Sequence, residues 1–267
     1  ISLMTTSMVF PLVAQLQAGR SLDEVKAKYA EMLDMIADCG IPAVEVTSLE
    51  LDVFGVETVR DALSRSGLVC SSVIHMDAYA QTDQANHDGI VDTAKKKILD
   101  AKALGAGYVM LALMAQPDIE KHSAEKLREA LIGNIRPIAE FGKEQGITVS
   151  VEDTPDIRLP LCDSADLALV LEAIPELALT YDTGNMLFKN ERTLDFYRKL
   201  KERVVYVHLK DVDYTNSSDE ADRATDGRFI KAVLHTQGVM DFPAIVRELM
   251  DNSYDGWLML EYVGKNH

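Results

Sequence analysis

Residues 147–155 read ITVSVEDTP, an apolar, β-branched run that stops abruptly at two acids, a hydroxyl and a proline. Apolar/polar alternation would mark a strand with one wet face. A run this apolar marks a strand buried on both faces, as in a parallel sheet covered by helices. Working outward, the same shape recurs at 43–47 (AVEVT), 68–76 (LVCSSVIHM), 107–114 (GYVMLALM), 178–181 (ALTY), 204–209 (VVYVHL) and 257–260 (WLML). With a segment near 3–8, the number of predicted strands is eight.

Helical periodicity fills the intervals. Ser21 stands three residues before Glu24 in capping-box spacing, and Val25, Tyr29, Met32, Leu33 and Ile36 share one face of the helix that follows, up to Gly40. Further helices are predicted over 56–66, 83–104, 124–145, 193–202 and 242–252, with another opened by Asp163 and ended before Pro175. Strand then helix, repeated without a break in composition, predicts one α/β domain over 1–267. An open doubly wound sheet would carry a glycine-rich loop after its first strand, and neither GxGxxG nor GxxxxGK[ST] occurs. The count of eight therefore selects a (β/α)₈ TIM barrel. Only a few residues follow the eighth run, so the closing helix is expected to be missing or to lie beyond His267.

Composition excludes several function classes. The chain of 267 residues has 27 basic and 43 acidic side chains, a net charge of −16 that repels nucleic-acid backbones and anionic lipid. No run reaches the roughly 18–20 apolar residues a membrane span needs. The start at 4–14, MTTSMVFPLVA, has no basic flank and contains Pro11, which predicts a first strand and loop rather than a signal peptide. The first residue is Ile1 rather than Met, so a trimmed N-terminus is expected. Cys39, Cys70 and Cys162 form neither a CxxC site nor a disulfide framework, which points to a reducing, cytoplasmic setting.

Barrel active sites lie at the C-terminal ends of the strands. The fifth run ends in Glu152, the sixth in Asp182 and the eighth in Glu261, and the seventh carries His208. Taken singly, each is as readily a helix cap or a packed histidine. Together, on four consecutive strands, the acids would repel strongly without a cation. Three carboxylates and an imidazole suit one divalent ion: Mn²⁺, or alternatively Mg²⁺, Co²⁺ or Zn²⁺.

VEDTP, YDTGN, VHLKDV and YDGWLMLEY, in this order, resemble the xylose-isomerase-like barrels, and within them the sugar phosphate isomerase/epimerase group. That resemblance implies that Glu152, Asp182, His208 and Glu261 bind one divalent metal; Glu152 and Glu261, on the fifth and eighth strands, could flank a substrate from opposite sides and are the candidate catalytic pair. It implies a sugar or polyol substrate and a homo-oligomer, a dimer or tetramer, while the acidic charge argues against a nucleic-acid or membrane partner. The chain departs from the epimerase pattern twice: Asn185 stands where a His is frequent, and Thr236, in TQGVMDF, replaces the first Gly of a GxG segment. DNA-repair members of the superfamily carry many more histidines than the six found here.

A metal in such a site polarises a carbonyl, eases loss of the neighbouring proton and stabilises the resulting enediolate, while a carboxylate on each side removes and returns the proton. Return to the opposite face epimerises, return to the adjacent carbon isomerises, and loss of a β-hydroxyl dehydrates. A metal-dependent isomerase or epimerase is the first expectation, an inosose dehydratase-type lyase the second, and a non-catalytic sugar-binding barrel the third. Lys210 shares a strand face with His208. It, Asn185, His75 at the end of the third run, Glu45 in the second and Arg158 after the fifth are candidate substrate contacts. Residues 213–236 form a long polar segment that reads as a lid loop, with Arg223 and Arg228 able to close on the substrate.

Overall fold

A computed structural model describes residues 1–219 and 221–263. Eight parallel strands close on themselves: β1 (Ser2–Met4), β2 (Ala43–Thr47), β3 (Val69–Asp77), β4 (Tyr108–Leu113), β5 (Thr148–Glu152), β6 (Ala178–Asp182), β7 (Val204–Thr215) and, last in the ring, Trp257–Glu261. That last strand pairs with β7 on one side, His208 opposite Met259, and with β1 on the other, Ser2 opposite Met259. The (β/α)₈ reading is thus the architecture observed. The position after Val263, where a closing helix was in question, lies outside the described residues.

The helices are α1 (Thr6–Gln17), α2 (Leu22–Asp38), α3 (Ser48–Phe54), α4 (Val56–Ser66), α5 (His87–Ala103), α6 (Ala124–Gln145), α7 (Ser164–Ala173), α8 (Thr193–Leu200) and α9 (Phe242–Asp251). Ser21 and Glu24 form the expected capping box at α2, and Asp163 caps α7 through the amides of Ala165 and Asp166. Two packed layers result. Val44, Val46, Val73, Val109, Leu111, Val151 and Leu179 face outward under the helices. Met4, Ile74, Met110, Tyr206 and Met259 fill the barrel interior.

The structure corrects the sequence reading in three places. The apolar start is not a strand and loop: β1 stops at Met4 and α1 begins at Thr6, with Pro11 inside it. Proline in a helix interior costs about 3 kcal/mol. Val9 is fully buried, and Met8, Leu12, Val13 and Leu16 pack on the same core. At about 1.5–3 kcal/mol per buried apolar side chain, that burial outweighs the proline. A short helix, α3, went unread between the second and third strands; Thr47 and Glu50 cap it with a second capping box.

The third correction concerns the polar segment after residue 213, which is not an irregular lid loop. β7 runs on to Thr215 and pairs antiparallel with β9 (Phe229–Val233), to which β8 (Asp222–Arg223) adds. Val212, Ala224 and Ile230 close over Cys162 and Phe188 as a small third core. With these two included, the last barrel strand is β10. The return from the hairpin is tight. A Cβ on Gly238 would lie 2.3 Å from both Asp211 Oδ1 and the Val212 carbonyl, and Thr236 stands at φ +72°, in the left-handed region.

Candidate metal centre

Parallel pairing sets the level of each functional side chain. Asp182 lies opposite His208 across β6 and β7, and Glu261 lies opposite Lys210 across β10 and β7. With Glu152 from β5, one potential ligand atom each from Glu152, Asp182, His208 and Glu261 fall within 4.8 Å of one another. His208 Nδ1 is 2.6 Å from Glu152 Oε1 and 2.9 Å from Glu261 Oε2. Lys210 Nζ reaches Glu261 Oε1 at 2.7 Å, Asn185 Oδ1 at 3.1 Å and Asp182 Oδ2 at 3.8 Å. The structure therefore brings together Glu152, Asp182, His208, Glu261, Lys210, Asn185 and, from beneath, Glu45.

The local fold leaves specific atoms uncommitted. Asp182 Oδ1 accepts the amides of Gly184 and Asn185 and so fastens the turn after β6, while Oδ2 is buried without a hydrogen-bond partner. Glu261 Oε2 is likewise buried, with His208 Nδ1 as its ion-pair contact and no well-formed hydrogen bond. Asp153, which the sequence reading passed over, is fully buried: Oδ1 accepts the Asp182 amide, its carbonyl accepts from Asn185 Nδ2, and Oδ2 has no partner. Its signal was in plain view, next to Glu152 in SVEDTP.

Electrostatics fit a cation. Glu45, Glu152, Asp153, Asp182 and Glu261 surround one ammonium, Lys210, and one imidazole, His208. Unit charges 4 Å apart interact by about 4 kcal/mol at an effective dielectric of about 20, so this excess of acids is costly unless balanced. Burial, reinforced by the Glu261 and Glu152 charges and opposed by Lys210, pushes the Asp182 carboxyl up to about 8. Burial and the Glu261 charge also raise Glu152, against the pull of His208. Burial would raise Glu261 too, but Lys210 and His208 win and hold it well below the carboxylate range. Burial depresses His208, yet Glu45 and Glu152 overcome that and raise it. Buried oxygens with one imidazole form a donor set of the kind that could hold a divalent ion.

Other predicted contacts lie elsewhere. Ile74 points into the barrel, so His75 faces out to the helical layer, where Nδ1 meets Ser48 Oγ at 3.0 Å and the ring meets Tyr79. Glu45, expected at the substrate, is fully buried and contacts His208 instead. Arg158 is bound to Asp156, with Nη2 2.6 Å from Oδ2, and lines a cavity of about 480 Å³ with Arg223 and Asp222. Arg228 is tied to Asp226 and Asn190 and lies over the Tyr214 ring, within the hairpin rather than on the cluster. A second cavity of about 240 Å³ opens onto Lys210 and Asn185, its opposite wall formed by Ile230, Lys231 and Ala232 of β9.

A profile of the family described as xylose isomerase-like TIM barrel matches residues 33–266. Inosose dehydratase of Lacticaseibacillus casei is 20% identical over 197 residues, 72% of this chain and 66% of its own length. Its counterpart in Geobacillus thermodenitrificans is 24% identical over 189 residues, 68% of this chain and 62% of its own length. The match thus spans less than two thirds of these relatives. Among solved structures, a xylose isomerase-like TIM barrel protein from Mycobacterium smegmatis in complex with magnesium superposes with a TM-score of 0.70 at 18% identity, covering 90% of this chain and 83% of that one. A probable 3-DHS dehydratase from Bacillus anthracis gives 0.73 at 15% identity, covering 99% and 93%. D-allulose 3-epimerase from Methylomonas sp. gives 0.70 at 18% identity, covering 89% and 79%. At such identities the likeness to these structures is one of fold.

Proposed function

The chain belongs to the xylose isomerase-like TIM barrel family, and from that premise we propose that it is a divalent-metal-dependent sugar isomerase or epimerase that removes a proton beside a carbonyl of a ketose or related polyol. The observation that carries this reading is the convergence of Glu152 and Glu261, from β5 and β10, on one buried point shared with Asp182 and His208. Mn²⁺ is the ion proposed, with Mg²⁺, Co²⁺ and Zn²⁺ as alternatives; neighbours of this fold include a magnesium complex and a zinc-bound protein. When bound, the ion supplies Lewis-acid polarisation of the carbonyl and its neighbouring hydroxyl.

The chain's own residues do the rest. Glu152, partly exposed and raised in basicity, takes the proton from carbon. Glu261, on β10, faces the same point from another side of the ring, and its partner Lys210, 2.7 Å from Oε1, is the proton source through which it serves the return step. Lys210, held between Glu261 and Asn185, donates to the substrate oxygen on which charge develops. Asp153 and Asn185 fix the turn that presents Asp182. The β9 wall of the adjoining cavity covers Lys210 and keeps bulk water from the enediolate.

A second reading, loss of a β-hydroxyl by a lyase of the inosose dehydratase type, is favoured by Asn185 at the position where epimerases frequently carry His and by the names of the curated relatives. One assay separates the two: incubation in D₂O with Mn²⁺, with and without EDTA, of a panel of free ketoses, inososes and hydroxypyruvate, read by mass spectrometry. Metal-dependent gain of a deuteron at unchanged composition is the expected result, and Glu152→Gln should slow it by about 10²–10⁴-fold. Metal-dependent loss of one water instead would establish the lyase. No exchange and no water loss on any compound, with the metal bound, would overturn both.

A further inference from the structure

Glu45, a predicted substrate contact, is sealed off from the open side of the cluster. It lies in the middle of β2, its side chain is 0% exposed, and His208 lies between it and the cluster. Glu45 Oε2 is 3.0 Å from His208 Nε2. The opposite ring nitrogen, Nδ1, is the one on which Glu152 and Glu261 converge. The imidazole thus stands between two acidic environments, a closed one at Nε2 and an open-sided one at Nδ1.

Among the described residues neither Glu45 oxygen has a hydrogen-bond partner, and no cation other than His208 comes within ion-pair distance. A buried carboxylate left without a donor is strongly destabilising. The ring N–H is the donor on hand. At 3.0 Å from Glu45 Oε2, Nε2 is within reach of such a bond. We propose that Glu45 is a positioning residue: it accepts a hydrogen bond from the His208 Nε2–H, fixes that tautomer, and leaves the Nδ1 lone pair aimed at the point shared with Glu152 and Glu261. This deepens the metal-centre reading above and rests on it. A carboxylate behind a ligating histidine also raises the basicity of the ligand and locks the ring's orientation, and loss of such a partner typically weakens metal binding by about 10–100-fold.

The test uses the full chain and readouts other than turnover. Calorimetric titration with Mn²⁺ alone compares the unaltered chain with Glu45→Gln, whose amide oxygen still accepts the Nε2 proton, and with Glu45→Met, which has no acceptor. Glu45→Gln should keep most of the affinity, and Glu45→Met should lose about 10–100-fold while its circular dichroism is unchanged. Independently, ¹⁵N NMR of the unaltered chain with Mg²⁺ should show the His208 proton on Nε2; this needs no variant to fold. A proton on Nδ1 in the metal-bound chain, or a folded Glu45→Met chain that binds Mn²⁺ as tightly as the unaltered one, overturns the role of Glu45. Failure of the unaltered chain to bind Mn²⁺ or Mg²⁺ overturns the metal centre itself.

Discussion

At the scale of single residues, His75 shows how opposite faces of one strand divide the labour. Burial lowers its basicity, with Asp77 pulling the other way, and its Nδ1 is paired with Ser48. A histidine whose folded pKa lies below the ordinary value of about 6.5 binds protons more readily once unfolded. Its contribution to stability is therefore full above about pH 6.5 and lost as pH falls through the folded value. Replacing it (His75→Gln) should flatten the fall in unfolding free energy between neutral and mildly acidic pH, measured by urea titration at each pH; an unchanged slope would assign that fall to other groups. Thr236 is a second case. A β-branched residue at φ +72° carries about 1–2 kcal/mol of strain. Thr236→Gly should raise the urea midpoint without altering metal binding, and a lowered midpoint would show that the threonine side chain holds the turn. The acids at strand ends were legible because they interrupt apolar runs. The facing of His75 was not, because a strand buried on both sides is apolar at every position and its hydropathy does not say which parity looks inward. The seclusion of Glu45 was hidden for the same reason, compounded by the register shift between Val44 and Glu45.

At the scale of elements, boundaries followed the chemistry of caps. Helices α4 and α6 span the residues expected of them, each closed by a glycine in the left-handed region, Gly67 and Gly146. Where cap and period disagreed, packing decided, as when α1 accepted Pro11 in exchange for burying Val9. The β8–β9 hairpin escaped the sequence reading because its alternation is weak and its charges dominate, yet it is held by the pairing of Asp211–Thr215 with Phe229–Val233. The fit between α6 and β5 is closer than the sequence discloses. A Cβ on Gly142 would lie 2.4 Å from Val149 Cγ2 and 2.9 Å from the Ile147 carbonyl. Gly142→Ala, although favourable for an isolated helix, should therefore destabilise the chain by about 1–3 kcal/mol of overpacking, read as a lowered urea midpoint. Stabilisation would mean that α6 can move off the barrel. Because β5 carries Glu152, the same substitution should weaken Mn²⁺ binding in proportion to that displacement.

At the scale of the whole molecule, the acidic cluster and the net charge of −16 act together. A ligand that binds only the folded state adds stability that grows with its concentration, about 2.7 kcal/mol at 100 times the dissociation constant. Exhaustive chelation should lower the melting temperature, and Mn²⁺ should restore it in a saturable way; equal melting with and without the ion would remove the cluster as a metal site. The ring of strands carries a further consequence, for synthesis. β10 is made after every other barrel strand, yet it alone joins β7 to β1 and contributes Glu261. Until that segment emerges from the ribosome the ring cannot close, and any sheet already formed by the earlier strands has raw edges open to pairing with other chains. Closure of the ring and completion of the ligand set then become one event, so a partly synthesised chain cannot bear the finished centre.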